Sequence, residues 1–409
     1  MKFLFLDAYF EPEQTSFTHL ETDLIDYLTD VGNKIEIICP TPTRGVTQET
    51  RRKYKRKKRE ILSDSVSIIR FAAPAEGKNP LIRAFRYFWC NLKTLRIGKK
   101  YKYADVVFSN STPPTQGFIA AKVAKKLKIP FVYNLQDIFP DSLVNAGMTN
   151  KGSFLYKIGR KIEDYTYKNA DKIIVISESF KKNIMEKGVP EGKIEVIPNW
   201  IDTKKIKPIN REDNPLFEEL GIDRKKFIVL YAGNFGASQG TDVIINAAKY
   251  LQGEPDIHFV LFGGGSEFER TVKQISEDNL TNITINPLLP PERISEVYSM
   301  GDVAIITCRA GVGNAGMPSK TWSIMACNTP IIASFDTNSE LNKILSYYQA
   351  GVCVPPENAK ALVSEIKLQK DNIYAYHNIR ESIKKLCDKK TCIEKYECVF
   401  SSQNIKKSK

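Results

Sequence analysis

The chain has 409 residues, 42% apolar and 26% charged, which suits two or three cored domains and argues against a wholly disordered or fibrous protein. Its net charge of +13 is lopsided: residues 1–200 hold 34 basic and 22 acidic side chains (+12), the remainder 26 and 25 (+1). An anionic partner is expected for the first half, while eight cysteines without a CxxC pair and three separated histidines disfavour a zinc site or a histidine-based hydrolase triad.

Met1–Leu6 is a short apolar run ending at Asp7, which suits a buried strand better than a secretory leader. No stretch approaches the ~18 apolar residues of a membrane span. Strands are expected at 2–7, 34–39, 66–71, 105–109, 130–134, 172–177 and 194–197, with helices such as 16–31 and 116–128 between them. A Pro-, Lys- and Asn-rich stretch from Pro198 to about 215 reads as a linker. A second alternation follows, with strands at 226–232, 257–262, 282–286, 303–307, 330–334 and 351–354. Helices are expected at 240–251, 266–278, 291–299, 318–327 and 339–347, then to the end of the chain. The economical architecture is α/β: two doubly wound domains facing across a cleft, at 1–205 and 206–384, with a C-terminal helix and tail at 385–409 packing back on the first.

Three segments of the second half suit phosphate chemistry. Tyr231–Gly240 follows an apolar strand, and its glycines at Gly233 and Gly236 allow close backbone approach around Asn234 and Phe235. Phe262–Ser266 holds Gly263, Gly264 and Gly265 directly after a strand. In Gly311–Lys320, Pro318 suits a first helical turn, and Ser319 and Lys320 then fall at a helix start, where a cation is unfavourable unless an anion joins it. The same segment matches GxGxxG with Asp336 twenty residues beyond Gly316, the spacing of a dinucleotide fingerprint.

The order of several motifs resembles nucleotide-sugar-dependent glycosyltransferases of family 4, with two Rossmann-like domains in the GT-B arrangement. They are Tyr9–Pro12, Gln136–Ser142, Ala170–Ser177, Ile197–Asp202, Tyr231–Gly240, and Pro318–Lys320 running on to Met325 and Ala326. The chain looks closest to the bacterial branch that builds capsule and O-antigen polysaccharides, including N-acetylfucosaminyl-transferase-like members. The resemblance implies a retaining transfer without a metal or other cofactor, from a nucleoside-diphosphate sugar, UDP-linked in our reading, to a polyprenyl-diphosphate-linked saccharide. It carries Lys320, the Gly233–Gly236 backbone and the Asn314–Met317 loop (Asn314, Ala315, Gly316, Met317) over to the diphosphate and sugar. Two departures stand out. The family's Glu-x7-Glu positions read Ala315 and Ser323, and its first glycine loop often has Arg and Lys where this chain has Asn234 and Gln239. Cationic duty then falls on Lys320 and Arg309, and the ribose on Ser323 or another group.

In the first domain, Thr15 and Ser16 lie where relatives often have glycines near the reaction centre, and either also suits a helix cap. His19, a packed or surface residue by default, and Asp137 are the catalytic candidates on that side. Asp141 and Asn199 are acceptor-side candidates that equally suit turns. The basic excess concentrates in Arg51, Arg52, Lys53, Lys55, Arg56 and onward to Arg59, eight cations in nine positions. From Lys78 to Tyr103 no acid appears, and Phe85, Phe88 and Trp89 recur at helical spacing with Arg83 and Arg86. That pattern is either a core helix or an interfacial helix on an anionic membrane. The second reading makes the protein peripheral on the cytoplasmic face of the inner membrane. Two alternatives stay open: an epimerase or NAD-linked enzyme using Gly311–Gly316, and a nucleic-acid binder, for which no motif is found.

Overall fold

The computed structural model describes residues 1–13, 17–75, 80–145, 148–313, 317–371 and 378–407. The chain divides into two compact units, one of residues 1–199 with 392–409 and the other of residues 200–391.

The first unit is an eight-stranded sheet in the order β3-β4-β2-β1-β5-β6-β7-β8. Its strands are β1 (Lys2–Leu6), β2 (Lys34–Pro40), β3 (Arg59–Ser63), β4 (Val66–Phe71), β5 (Val106–Asn110), β6 (Phe131–Leu135), β7 (Lys172–Val175) and β8 (Ile194–Val196). The helices are α1 (Thr18–Asp30), α2 (Gln48–Lys55), α3 (Pro80–Gly98), α4 (Thr115–Leu127), α5 (Asp141–Asn145), α6 (Phe154–Asn169) and α7 (Glu178–Glu186). All pairings are parallel except the edge pair β3–β4. Central strands such as β5 and β6 are buried throughout, as a parallel sheet covered on both faces requires.

Residues 48–63 carry no helical or strand periodicity of their own, yet they form α2 and β3. Thr47 caps α2 by accepting from the Thr50 N–H, and Tyr54 places its ring 4.8 Å from the Arg70 guanidinium. Glu60 of β3 pairs with that same Arg70. One buried arginine therefore ties both elements to β4, which local pattern does not reveal.

The second unit begins with α8 (Leu216–Glu219) and holds six parallel strands in the order β11-β10-β9-β12-β13-β14. They are β9 (Phe227–Asn234), β10 (Ile257–Gly264), β11 (Ile283–Pro287), β12 (Val303–Thr307), β13 (Ile331–Ser334) and β14 (Gly351–Val354). Helices α9 (Asp242–Tyr250), α10 (Phe268–Glu277), α11 (Ile294–Met300), α12 (Lys320–Ala326), α13 (Glu340–Tyr347), α14 (Ala359–Asp371) and α15 (Ile379–Cys387) complete it. Every strand expected here from β-branched runs is present, with ends shifted by at most two residues.

The last helix, α16 (Lys389–Lys407), crosses from the second unit to the first. Phe400 packs edge-on to Phe3 at 4.9 Å and Phe108 at 5.7 Å, and Tyr27 donates to Glu397 at 2.5 Å.

Candidate functional site

The strand order of the second unit reverses between β9 and β12, and such sheets bind ligands beyond the carboxyl ends of the strands at that reversal. Gly233 and Asn234 close β9 there, in register with Gly263 and Gly264 of β10. Phe235 is fully buried, donates its N–H to the Gly264 carbonyl at 2.7 Å, and stacks edge-on to Tyr231 and Phe268. A Cβ at Gly263 would lie 2.0 Å from the Phe235 ring, and one at Gly236 would lie 2.7 Å from the amide ends of Asn234 and Gln239. Packing alone requires glycine at both positions.

Lys320 is the first residue of α12, and its Nζ donates to the Ala232 carbonyl at 3.2 Å. The same ammonium lies 4.0 Å from the centroid of the Tyr231 ring, whose hydroxyl donates to the Asn234 carbonyl at 2.8 Å. Part of the side chain reaches solvent, yet burial of the ammonium without a compensating charge pulls its pKa down to about 7. Pro318 and Met317 are half-buried and Ser319 is exposed just before it, while Ser323 lies one turn further along α12, half-buried. Asn314, Ala315 and Gly316 lie outside the described residues.

Two expectations in this unit need correction. Arg309 is not a spare cation: it pairs with Asp242 at 2.6 Å and Glu357 at 2.7 Å and donates to the Ala237 carbonyl. It ties the loops after β9 and β12 to each other. The Asp336 carboxylate is likewise taken, accepting the N–H groups of Gly311 at 2.9 Å and Gly313 at 2.7 Å. The acid that the spacing offers to a ribose is a staple of its own glycine loop.

The first unit has a similar strand reversal between β1 and β5, where a buried polar network sits. Asp7 follows β1, Asn110 ends β5, and Glu21 reaches in from α1; all three are at most 4% exposed. The Asn110 amide donates to Glu21 at 3.0 Å and Asp7 at 3.4 Å. Desolvation raises Asp7 to about 7 and raises Glu21 well above the usual carboxyl range. An amide relay leads outward from Asn110 through Asn134 (2.7 Å) and Gln136 (3.1 Å) to Asn199 (2.9 Å). The sequence reading picked out Asn199 and missed the acid pair. The available signal was an aspartate closing an apolar first strand.

Asp137 is exposed just past β6, its N–H bonded to Ser111. Asp141 is engaged elsewhere: it accepts from Tyr156 and Asn183 and pairs with Lys187 at 2.9 Å. Burial opposes its charge, but these partners hold its carboxyl below the usual range, so it clasps α5, α6 and α7 instead of facing an acceptor. His19 is exposed on α1, and Thr15 and Ser16 lie outside the described residues.

Two family models match, described as Glycosyltransferase Family 4 over residues 22–205 and Glycosyl transferases group 1 over residues 212–386. This chain is a glycosyltransferase of the GT-B fold. The probable glycosyltransferase WbjE of Pseudomonas aeruginosa is 27% identical over 304 residues, 74% of this chain and 76% of that protein. The putative colanic acid biosynthesis glycosyl transferase WcaI of Escherichia coli is 28% identical over 273 residues, 65% and 66% of the two chains. Among solved structures, Anabaena HepE in complex with UDP superposes with a TM-score of 0.72 at 15% identity, over 98% of this chain and 100% of that one. Sucrose-phosphate synthase of Thermosynechococcus elongatus gives 0.70 at 17%, over 98% of each. The bacterial relatives fit the surface-polysaccharide branch.

The glycosyltransferase carries its basic excess on visible surfaces. Arg52, Lys53, Lys55 and Arg56 of and after α2 are exposed and Arg51 is half-buried. α3 packs Cys90, Leu95 and Ile97 on the core, but its first half turns Arg86 inward, 1% exposed and donating to the Pro74 carbonyl, while Phe85 and Phe88 are 57% and 61% exposed. Arg83 is exposed, and Trp89 donates to the Ala72 carbonyl at 2.9 Å beneath Lys93. The helix therefore packs on the core through Cys90, Leu95 and Ile97, while Phe85 and Phe88 do not join it. Among the described residues no helix is long and apolar enough to cross a membrane.

Proposed function

We propose that this glycosyltransferase moves a sugar, with retention, from a UDP-type donor to a polyprenyl-diphosphate-linked saccharide in bacterial surface-polysaccharide synthesis. An N-acetylhexosamine or 6-deoxy relative, N-acetylfucosamine among them, is the sugar class this reading favours. The observation that carries it is the Lys320 ammonium, held at the carboxyl end of β9 by a carbonyl and an aromatic face and matched by no carboxylate among the described residues. Such a group gains its full charge when an anion arrives.

In the transfer, the bond from the anomeric carbon to the diphosphate oxygen breaks and the acceptor oxygen bonds to that carbon. The acceptor proton leaves to a base or to the departing diphosphate. Negative charge grows on the leaving group, and Lys320 beside the Gly233 backbone is positioned to meet it, which is the work a metal does elsewhere. The UDP held by Anabaena HepE supports a UDP-type donor. The colanic acid role in the name of WcaI supports an acceptor from surface-polysaccharide synthesis. The exposed Phe85 and Phe88 among Arg83 and Lys93 support a peripheral seat on an anionic membrane.

The test is transfer assayed with a panel of nucleotide sugars and a polyprenyl-linked acceptor, with and without EDTA. Lys320→Ala should depress both transfer and UDP affinity, and chelation should leave the wild type active. Unchanged transfer and UDP affinity in Lys320→Ala overturn the site; loss on chelation with recovery on adding Mg²⁺ overturns the metal-free reading.

A further inference from the structure

We infer that the first two turns of α6, with Met148 just before them, form a second membrane contact. Together with α3 it seats the carboxyl edge of the first unit's sheet on an anionic bilayer. The inference rests on the proposed reading of α3 as a membrane helix and adds a second footing with an orientation.

The observation is a repeated inversion. A surface helix ordinarily turns its apolar stripe inward. α6 buries Tyr167 and Thr166 in its C-terminal half, but its N-terminal half turns Gly159 and Glu163 inward while Phe154 is 80% exposed, Leu155 52% and Ile158 40%; Met148 is 72% exposed. Spacing at 154, 155 and 158 places the three on one helical face. From Met148 to Ile162 there are four cations and no acid; Arg160 pairs with Glu163 and Asp164 just beyond, which leaves Lys151, Lys157 and Lys161 as the exposed cations of the patch. α3 follows the same plan, with Arg86 inward and Phe85 and Phe88 outward.

The two helices share a layer and an edge. Asn91 of α3 donates to Thr115 of α4 at 3.0 Å, and Phe118 of α4 packs on Tyr165 of α6 at 4.8 Å. With α4 between them at ordinary helix spacing, the footings are about 20 Å apart. Trp89 is tied to Ala72, just past β4, and a Cβ at Gly159 would lie 2.8 Å from Phe139 and Pro140, just past β6. Both contacts therefore flank the carboxyl ends of the strands, the end that holds Asp7, Asn110 and the amide relay. Two cationic aromatic faces without acids match an anionic lipid surface, and neither alone fixes the orientation of the unit.

The test uses the full chain and vesicles of phosphatidylglycerol with phosphatidylethanolamine, compared with neutral phosphatidylcholine. Phe154→Ser with Leu155→Ser should weaken partitioning into the anionic vesicles at least tenfold and leave UDP binding intact. Phe85→Ser with Phe88→Ser should do the same. If only the α3 pair matters, the second footing is wrong and the membrane reading of α3 stands; if neither matters, both fall. If the α6 pair instead converts a dimer to a monomer in sedimentation velocity and spares vesicle binding, the face is an interface between copies and the proposal is overturned. A probe that leaves the charge pattern in place guards against misfolding. Phe154→Trp in a Trp89→Phe background should be quenched by brominated lipid, the buried Trp200 and Trp322 giving the baseline. Absence of extra quenching also overturns it.

Discussion

The Lys320 ammonium sits 4.0 Å from the centre of the Tyr231 ring, with the Ala232 carbonyl as its only direct hydrogen-bond acceptor among the described residues. Cation–π contact and one carbonyl stabilise the charge less well than water does, so the group is poised for an anion. Lys320→Ala is expected to lower kcat by about 10²–10³-fold, the usual loss for one donor to a developing oxyanion. Its Tm should hold or rise, since a poorly solvated charge is removed. Transfer kinetics beside a thermal melt separate the two effects.

The pH dependence follows in sign. Lys320 in the free protein titrates at about 7, and a bound diphosphate raises that value. UDP binding near pH 7 should therefore take up a fraction of a proton, and affinity should fall as pH rises above 7. Calorimetry in buffers of different ionisation enthalpy reads this directly. Proton release, or an affinity flat from pH 6 to 9, is inconsistent with Lys320 at the diphosphate.

Gly263→Ala puts a methyl 2.0 Å from the Phe235 ring. Overpacking of this kind costs about 1–3 kcal/mol, and relief requires Phe235 to leave the aromatic group it forms with Tyr231 and Phe268. Denaturant melts should show the loss, and UDP affinity should fall with it because the Asn234–Gly236 turn moves too. At Gly264, where a Cβ meets nothing within 4 Å, alanine should be nearly neutral.

Asp336 separates the two enzyme classes. As the acceptor for Gly311 and Gly313, its loss in Asp336→Ala should cost about 1.5–3 kcal/mol for each charge-assisted hydrogen bond and weaken nucleotide-sugar binding by loosening the loop. NAD should give no thermal shift in either protein. A shift with NAD that vanishes in Asp336→Ala revives the dinucleotide reading.

The buried Asp7–Glu21 pair makes stability depend on pH. Both carboxyls titrate higher folded than unfolded, Asp7 at about 7, because desolvation favours the protonated form. The folded state thus binds more protons, and stability falls as pH rises from about 4 through 7. Glu21→Gln should flatten that slope in Tm measured from pH 5 to 8, because an amide keeps a hydrogen bond to Asn110 and carries no proton to lose. An unchanged slope would place the titration elsewhere.

What the sequence determined by itself was the alternation of strands and helices and the location of the glycine turns. Buried parallel strands are unbroken apolar runs, and tight βα turns need glycine, so both leave local marks. It also singled out Lys320 as a candidate, through a cation at a helix start that local rules disfavour. Tertiary structure alone decided which charges are spare. Arg309, Asp141 and Asp336 look like site residues in sequence, yet each is engaged by partners from 15 to 72 positions away. It also brought Asp7, Glu21 and Asn110 to one strand reversal and turned Phe85 and Phe88 of α3 and Phe154 of α6 outward. Periodicity shows that a helix has an apolar face; only the packing of its other face shows which side meets solvent.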